Sequence, residues 1–443
     1  MDNPAIDFGS PQVHNRGFSH STDAAFDVDI ALTESLRRVP ITRNISDLED
    51  HEILTSSGIR QHVYVQPSRS KTALITYHDI GTNHTSFLGF FNYPEMRVIS
   101  RHFTVYHICA PGHQENAVTG VYEHHRPIRR ESCKSAETDV DVSLLDKKGS
   151  QLTALSEGSV EAPETGLTPS GGRFSLTGAT LHYPTLDQLA QMITSILVHF
   201  GIKHFIGFGM GAGSNILARF ALHNPDNVLG LFLLNPDDTT HAYYQRFRCR
   251  WWDLPYLQQG FLTDNLLDQL DWHWFGYGLA ENEDVVRFYH QLARSLNSTN
   301  VAGYIQSYID RTALNLVRPA GLAMPGETPV QEPSEPTVIQ AEVMLLTGDR
   351  AVDLARALAE MNGHMDPKHT QFLTIPDCTG MVMEENPDKL AMDFLHFLRS
   401  IGLVINLTPE KLRQEAIADQ AYYHGRAASE SAIPARLLVG NEA

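Results

Sequence analysis

The sequence has few cysteines, and no two of them lie close together. The chain of 443 residues contains four: Cys109, Cys133, Cys249 and Cys378. Structural zinc sites and disulfide frameworks are built from closely spaced cysteines such as C-x-x-C. The spacing therefore excludes both classes and favours a reducing, intracellular setting. Nothing in the sequence indicates a cofactor.

Basic residues and long apolar runs are also scarce. Lysine and arginine number 34 against 52 aspartates and glutamates, which leaves a formal charge of -18. Such an excess of acid disfavours nucleic acid and anionic membranes as partners. The most apolar runs, such as residues 229–234, are far shorter than the ~20 residues of a membrane helix, and residues 1–7 contain two acids and no signal-like apolar stretch. We expect a cytoplasmic protein with no transmembrane segment.

Short apolar runs alternate with helical patterns from about residue 45 onward. The strand candidates are residues 58–65, 73–77, 103–108, 204–207, 228–234, 338–346 and 371–375. Strands that alternate with helices indicate a mostly parallel sheet covered on both faces. We predict an α/β fold, a doubly wound and mostly parallel sheet of about eight strands.

Two stretches interrupt this alternation. Residues 117–180 are rich in Ser, Thr, Gly, Glu and Pro, which predicts a disordered surface insertion. Residues 237–336 show helical patterns only, as expected for a helical cap inserted into the sheet domain. The predicted organisation is a core at 45–236 and 337–405, an irregular N-terminal tail at 1–44, and a charged, partly helical C-terminal tail at 406–443.

A glycine-rich turn follows the fourth strand candidate. Gly207-Phe208-Gly209-Met210-Gly211 has the frame of the nucleophile elbow G-x-S-x-G, with Gly209 where serine should stand. An elbow holds its central residue at positive φ, and its outer glycines let strand and helix approach closely. Because glycine has no side chain, the turn carries no nucleophile. A dinucleotide site would need an acid about 20 residues further on, and the next strand ends in Leu234-Asn235-Pro236 instead.

The positions expected for the acid and the histidine of a catalytic triad also lack a suitable side chain. Asp349 and Asp353 flank the place of the triad acid, and Ala351 lies between them. Gly380 stands after the last strand candidate, where the histidine is expected. The sequence therefore predicts no catalytic residue, with Gly209, Ala351 and Gly380 as degenerate triad positions.

A vestigial pocket is the second site hypothesis. His78-Asp79-Ile80-Gly81 follows a strand at the place where α/β hydrolases carry an oxyanion-hole loop. The N–H of Met210 and the loop around Ile80 offer donors to a carboxylate or carbonyl oxygen, although Asp79 argues against an anion. The simpler interpretation is that Asp79 caps local N–H groups beside a packed His78.

One alternative keeps the chain an enzyme. Ser214 would act as a displaced nucleophile, with His78 or His84 as its base, although five residues beyond Gly209 place it on a helix and not at the turn. A metal site is disfavoured because the histidine pairs, His124-His125 and His14/His20, lack regular ligand spacing.

Several motifs resemble the N-myc downstream-regulated (NDRG) family. They are residues 74–84, 91–93, 110–114, 183–190, 206–213, 219–225, 304–311 and 377–380, so the resemblance covers roughly 45–120 and 180–405. It implies an α/β-hydrolase fold with a small helical cap and no hydrolase catalysis, and roles in stress response, differentiation, signalling and vesicle trafficking. The insertion at about 120–178 is much longer than the connection usual in that family.

The sequence thus predicts a pseudoenzyme, a non-enzymatic intracellular adaptor that binds signalling or trafficking proteins. The alternatives are a serine-type ester hydrolase with a displaced nucleophile and a pseudohydrolase that binds a small ligand under its cap.

Overall fold

The structure, a computed structural model, describes residues 48–120, 183–239, 253–276, 282–319 and 337–431, the last range with side chains to residue 421. The predicted tail at 1–44, nearly all of the predicted insertion and both histidine pairs lie outside the described residues. All the described residues belong to one compact unit.

Eight strands form a single sheet. In chain order they are β1 Glu49–Leu54, β2 Arg60–Gln66, β3 Ala73–Tyr77, β4 Thr104–Ile108, β5 Phe205–Met210, β6 Val228–Leu234, β7 Glu342–Gly348 and β8 Thr370–Ile375. Their order across the sheet is β1-β2-β4-β3-β5-β6-β7-β8. The β1–β2 and β2–β4 pairs are antiparallel, and the pairs from β4 to β8 are parallel. This is the α/β-hydrolase fold that the sequence predicts.

Helices cover both faces of the sheet and fill the long connection between β6 and β7. They are α1 Thr85–Phe91, α2 Pro94–Ser100, α3 Leu186–Phe200, α4 Ala212–His223, α5 Leu254–Gln258, α6 Asp264–Phe275, α7 Glu283–Ser295, α8 Ser298–Ile309, α9 Val352–His364, α10 Val382–Glu385, α11 Pro387–Ser400 and α12 Pro409–Ser431. The four helices α5–α8 lie within the predicted cap segment, and we call them the cap helices.

Helix α3 shows how local sequence sets an element's ends. The Thr185 side chain accepts from the N–H of Gln188, whose own side chain accepts from the N–H of Thr185, which is a capping box. Gly201 ends the helix in the left-handed conformation at φ 66°. The apolar stripe between these caps is buried against the sheet, as the helical spacing predicts.

Two buried arginines attach both ends of the cap segment to the core. Arg219 on α4 donates to Asp187 (2.6 Å) on α3 and to the Thr312 hydroxyl (2.9 Å) just after α8. Arg311 pairs with Asp237 at 3.0 Å, just after β6. Asn215 joins the two groups, since it accepts from Arg219 and donates to the Asp237 carbonyl, each at 2.7 Å. Entry and exit of the cap segment are therefore fixed to the helix that follows β5.

The C-terminal helix α12 packs on α2. Leu412 and Ala416 are buried, and the Asp419 carboxylate lies 2.7 Å from Nε of Arg97 and also contacts Arg101. The sequence predicts a core that ends near residue 405 and a charged, partly helical tail beyond it. The structure instead adds a helix to the core from residue 409, because an i, i+4, i+7 stripe buries against its surface.

Candidate functional site

The turn between β5 and α4 is centred on Gly211. This residue has φ 52° and ψ -114° and directly precedes α4, whereas Gly209 lies inside β5. The prediction that Gly209 occupies the positive-φ centre of the elbow is therefore wrong by two residues. Glycines at 207, 209, 211 and 213 create two overlapping G-x-G-x-G frames, and the backbone adopts the second one.

The two outer glycines of that second frame are required by close packing. A Cβ on Gly209 would lie 2.6 Å from the Cα of Ser214, and a Cβ on Gly213 would overlap the carbonyl of Tyr77. Helix α4 thus sits directly against β5 and β3. The frame Gly209-Met210-Gly211-Ala212-Gly213 has the packing roles of an elbow, with glycine at its centre.

The Asp79 carboxylate lies over this turn. Its Oδ1 atom accepts from the N–H of Ile80 and from the N–H of Ala212, both at 2.8 Å. In α/β hydrolases, the N–H after the nucleophile and an N–H from the loop after β3 together form the oxyanion hole. Here the carboxylate of the chain itself is bound by that pair of donors.

The donor predicted at Met210 is misplaced for the same reason as Gly209. Met210 is the last residue of β5 and is buried, and the N–H that donates to the Asp79 carboxylate belongs to Ala212, the first residue of α4. The predicted donors around Ile80 do converge on one point. That point is occupied by Asp79, as the simpler interpretation of this residue expects.

Asp79 and Gly211 are sterically coupled. A Cβ on Gly211 would overlap all three carboxyl atoms of Asp79, and the φ of 52° would strain any other residue at this position. The Asp79 carboxyl group therefore occupies the space that any side chain on residue 211 would need. Either group can be present at this turn, but not both.

Helix α6 supplies the other side of the site. His273 Nε2 lies 2.9 Å from Oδ1 and 2.8 Å from Oδ2 of Asp79, and both residues are buried. The next residue, Trp274, is fully buried and donates its indole N–H to the Ile80 carbonyl at 3.0 Å. A cap helix thus fills the space above the turn with an imidazole and an indole.

His78 is held as a neutral structural histidine. Its Nε2 accepts the Ala110 N–H at 2.9 Å, which assigns the ring proton to Nδ1, and Nδ1 donates to the Asp79 carbonyl at 2.8 Å. Burial, with a smaller contribution from nearby His113, lowers the pKa of His78 to about 3. Because both ring nitrogens are engaged by the backbone, His78 has no lone pair to offer a nucleophile.

The residues of the displaced-nucleophile alternative are not brought together. The Ser214 hydroxyl is buried and donates to the Leu234 carbonyl at 2.7 Å. His84 stacks on Tyr64 with ring centroids 3.6 Å apart, and its Nδ1 lies 3.3 Å from the sulfur of Cys109. Ser214 and His84 thus have partners of their own.

Ala351 and Gly380 both lie beside the end of α6. A Cβ on Gly276, the residue after α6, would lie 2.9 Å from the Cβ of Ala351. Gly380 donates its N–H to the Phe275 carbonyl at 3.1 Å, and a Cβ on it would overlap the carbonyl of Trp274. A histidine side chain does not fit at position 380 in this arrangement.

Four residues of the site are absent from the sequence predictions: Gly211 as the turn centre, Ala212, His273 and Trp274. For Gly211 and Ala212, the sequence does contain an indication, which is the second G-x-G-x-G frame at residues 209–213. His273 and Trp274 are 194 residues from their partners Asp79 and Ile80, so no local pattern indicates them.

The described ranges contain no group of three or more His, Cys, Asp or Glu residues arranged to hold a metal ion. Among the helices in the same ranges, none combines the length and apolar character that a bilayer crossing requires.

Comparison with known proteins agrees with the fold. A hydrolase from Pseudomonas aeruginosa PA01 superposes with a TM-score of 0.50 at 17% sequence identity, over 80% of this chain and 99% of that one. At that identity the likeness shows the fold alone. The chain is thus an α/β-hydrolase-fold protein.

The sequence comparisons are more specific. The profile of the Ndr family matches residues 50–133 and 175–405. Protein NDRG3 of Xenopus laevis is 31% identical over 373 residues, which span 83% of this chain and 79% of that protein. Protein NDRG4 of Xenopus tropicalis is 30% identical over 378 residues, 84% of this chain and 74% of that protein. The chain belongs to the Ndr family.

Proposed function

We propose that the protein is a non-enzymatic intracellular adaptor in signalling, stress response or trafficking, built on a hydrolase scaffold whose former active site is closed. The observation that supports this most is the Asp79 carboxylate, which binds both N–H donors that would stabilise an oxyanion. An acyl substrate would have to displace the Asp79 side chain from its buried hydrogen bond with His273 to reach those donors.

The triad positions belong to the same proposal. We assign Gly211 to the nucleophile position in place of Gly209, and keep Ala351 and Gly380 for the acid and the base. None of the three carries a side chain that can hold or transfer a proton. A well-packed scaffold without nucleophile and base acts through binding.

The cap helices offer a surface for protein partners. Tyr256 on α5 and Phe261 in the turn before α6 expose 52% and 66% of their surface. Aromatic side chains are enriched at the energetic centres of protein interfaces. We assign the partner-binding surface to this part of the cap and, as the sequence suggests, to the insertion at about 117–180.

The hydrolase alternative is compatible with the fold but has no support from the site. Ester hydrolysis should therefore be measured with wild type and Ser214→Ala on p-nitrophenyl esters of short and long acyl chains. The proposal expects no turnover above buffer for either protein. Turnover that is lost in Ser214→Ala would overturn it.

The ligand-binding alternative has its own test. A thermal-shift screen of fatty acids and other carboxylates checks whether the site takes a small ligand. Because the side chains of Asp79, His273 and Trp274 occupy the site, we expect no ligand-dependent rise in melting temperature. A rise that Trp274→Phe alters would favour the pseudohydrolase that binds a small ligand.

The adaptor role is tested by proximity labelling in cells. Wild type is compared with Tyr256→Glu/Phe261→Glu and with a deletion of residues 125–175, and Leu54→Glu, which alters an exposed apolar residue far along the sheet on β1, is the matched control. We expect signalling or vesicle proteins that are lost with the cap variant or the deletion and kept with the control. Labelling of chaperones alone, unchanged by any variant, would contradict the proposal.

A further inference from the structure

The two edges of the sheet differ in how they are protected. Edge β1 carries Glu49, Asp50 and Glu52, whose side chains are 62%, 46% and 45% exposed. Edge β8, whose only strand neighbour among the described residues is β7, has no charged residue and exposes Phe372 to 40%. Charges on an edge strand prevent it from pairing with another chain. The β8 edge lacks that protection.

The backbone of β8 shows which of its residues face outward. The N–H of Val343 donates to the His369 carbonyl at 2.7 Å, and the N–H of Asp349 donates to the Ile375 carbonyl at 3.0 Å. Backbone groups of alternate residues point to opposite sides of a strand. The odd-numbered residues of β8 therefore face β7, and Thr370, Phe372 and Thr374 turn their N–H and C=O groups to the open edge.

The outward residues are symmetric about Phe372. If two copies of β8 pair antiparallel about this residue, Phe372 faces Phe372, and Thr370 faces Thr374 on either side. All of these are hydrogen-bonded pairs, in which each pair exchanges both of its N–H···O bonds. Aromatic pairs and Thr–Thr pairs directly opposite each other stabilise antiparallel strands. A centre on any odd-numbered residue would direct these same bonds toward β7 instead.

The charges beyond the strand ends fit the same arrangement. Lys368 lies just before β8 and Asp377 just after it, and both are exposed. Antiparallel pairing brings the start of one copy to the end of the other, so unlike charges approach at both ends of the pair. No like charges face each other along the strands themselves.

We propose that β8 is the interface of a two-fold symmetric homodimer, in which two copies of this chain join their sheets edge to edge about Phe372. The interface is isologous, so one patch serves both partners. It lies at the opposite edge of the sheet from β1 and is separate from the site around Asp79.

Sedimentation equilibrium tests the proposal over a wide range of protein concentration. Wild type should sediment as a dimer of the 49.5 kDa chain. Phe372→Lys places like charges directly opposite each other and should weaken dimerisation by about tenfold or more. Leu54→Lys, which alters an exposed apolar residue at the other edge, should dimerise like wild type. A monomeric wild type, or a dimer that Phe372→Lys leaves intact, would overturn the proposal.

A second variant reports the register without relying on a destabilising change. The Cα atoms of a hydrogen-bonded antiparallel pair lie about 5.5 Å apart, within reach of a disulfide. Under mild oxidation Phe372→Cys should therefore give a covalent dimer, and Leu54→Cys should not. A Phe372→Cys protein that retains the wild-type circular dichroism spectrum and stays uncrosslinked would contradict the pairing, and so would equal crosslinking at residue 54.

Discussion

The Asp79 carboxylate fills the space in which a side chain on Gly211 would lie. The two residues are 132 positions apart in sequence, yet a Cβ on Gly211 would overlap Asp79, and the N–H of the next residue, Ala212, is bound by the same carboxylate at 2.8 Å. The absence of a side chain at residue 211 and the position of the Asp79 side chain are thus sterically linked.

The coupling predicts that Gly211→Ser damages stability without creating an esterase. Positive φ costs roughly 1–2 kcal/mol for a residue other than glycine, and displacement of Asp79 from its hydrogen bonds adds about 1–3 kcal/mol. Urea unfolding measures the loss. Gly201→Ser is the matched control, because Gly201 has φ 66° and no atom within 4 Å of the added Cβ. Equal losses in the two variants would show that Asp79 does not oppose a side chain at 211.

The hydrogen bond from the Trp274 indole to the Ile80 carbonyl joins the cap helices to the core, and its contribution to stability can be measured. Trp274→Phe keeps much of the buried ring but leaves the Ile80 carbonyl without its indole donor, so we expect a loss of about 1–3 kcal/mol in unfolding free energy. The neighbouring Trp272 is 46% exposed, and Trp272→Phe should cost much less. Similar losses at both positions would mean that the indole hydrogen bond contributes little.

The environment of Glu384 leads us to expect a specific pH dependence of the unfolding free energy. It accepts from the Tyr289 hydroxyl at 2.6 Å, and its Oε2 is buried without a partner. Burial, reinforced by Glu385, raises the pKa of Glu384 from 4.5 to about 8. The folded state therefore holds this proton more tightly than the unfolded state does, so the contribution of Glu384 to stability is greatest below pH 4.5 and falls as the pH rises through about 8.

Glu384→Gln should remove that decline, and it should raise the unfolding free energy at pH 9 relative to wild type by an amount on the order of 2 kcal/mol. Denaturant unfolding from pH 5 to pH 9 follows the effect. Glu360→Gln, on the exposed side of α9, changes the net charge equally. In this variant the unfolding free energy should decline with pH as it does in wild type. Parallel curves for wild type and Glu384→Gln would refute the raised pKa.

The hydrogen bonds of Arg219 attach the end of the cap segment to the core, and we expect their loss to destabilise the protein. Arg219→Met leaves Asp187, Asn215 and Thr312 without their shared donor, and breaking a buried ion pair on one side costs about 3–5 kcal/mol, less here because Asp187 is 44% exposed. Amide exchange in α8 should accelerate in this variant. Arg287→Met removes an exposed pair with Asp284 and should change stability by less than about 0.5 kcal/mol. Unaltered exchange in α8 would contradict the attachment.

The sheet was largely predictable, because its central strands are buried runs. Residues 73–77 and 228–234 match β3 and β6 in full. The sequence does not predict strand β1, because its residues, EDHEIL, have the charged pattern of a protected edge and no clear alternation. Helix α12 was predicted only in part, since its buried stripe depends on a surface that folding creates.

The sequence predicts a glycine-rich turn beside the Asp79 loop, but it does not predict which glycine is the centre of that turn. Glycine at every second position from 207 to 213 gives two frames that local sequence cannot separate. The choice between them depends on which glycine meets Ser214, Asp79 and Tyr77 in three dimensions. Closure of the site by His273 and Trp274 is a long-range contact, which no periodicity reveals.

Hydrogen exchange at Ile80 and Ala212 tests the closure of the site most directly. If Asp79 holds both N–H groups beneath the cap, peptides that contain these amides should exchange in wild type only as slowly as the global unfolding of the core allows. In Asp79→Ala the same peptides should exchange faster by orders of magnitude, and peptides from β6 should change little. Rapid exchange at both amides in the wild-type protein would show that the donors are free, and that the site is open.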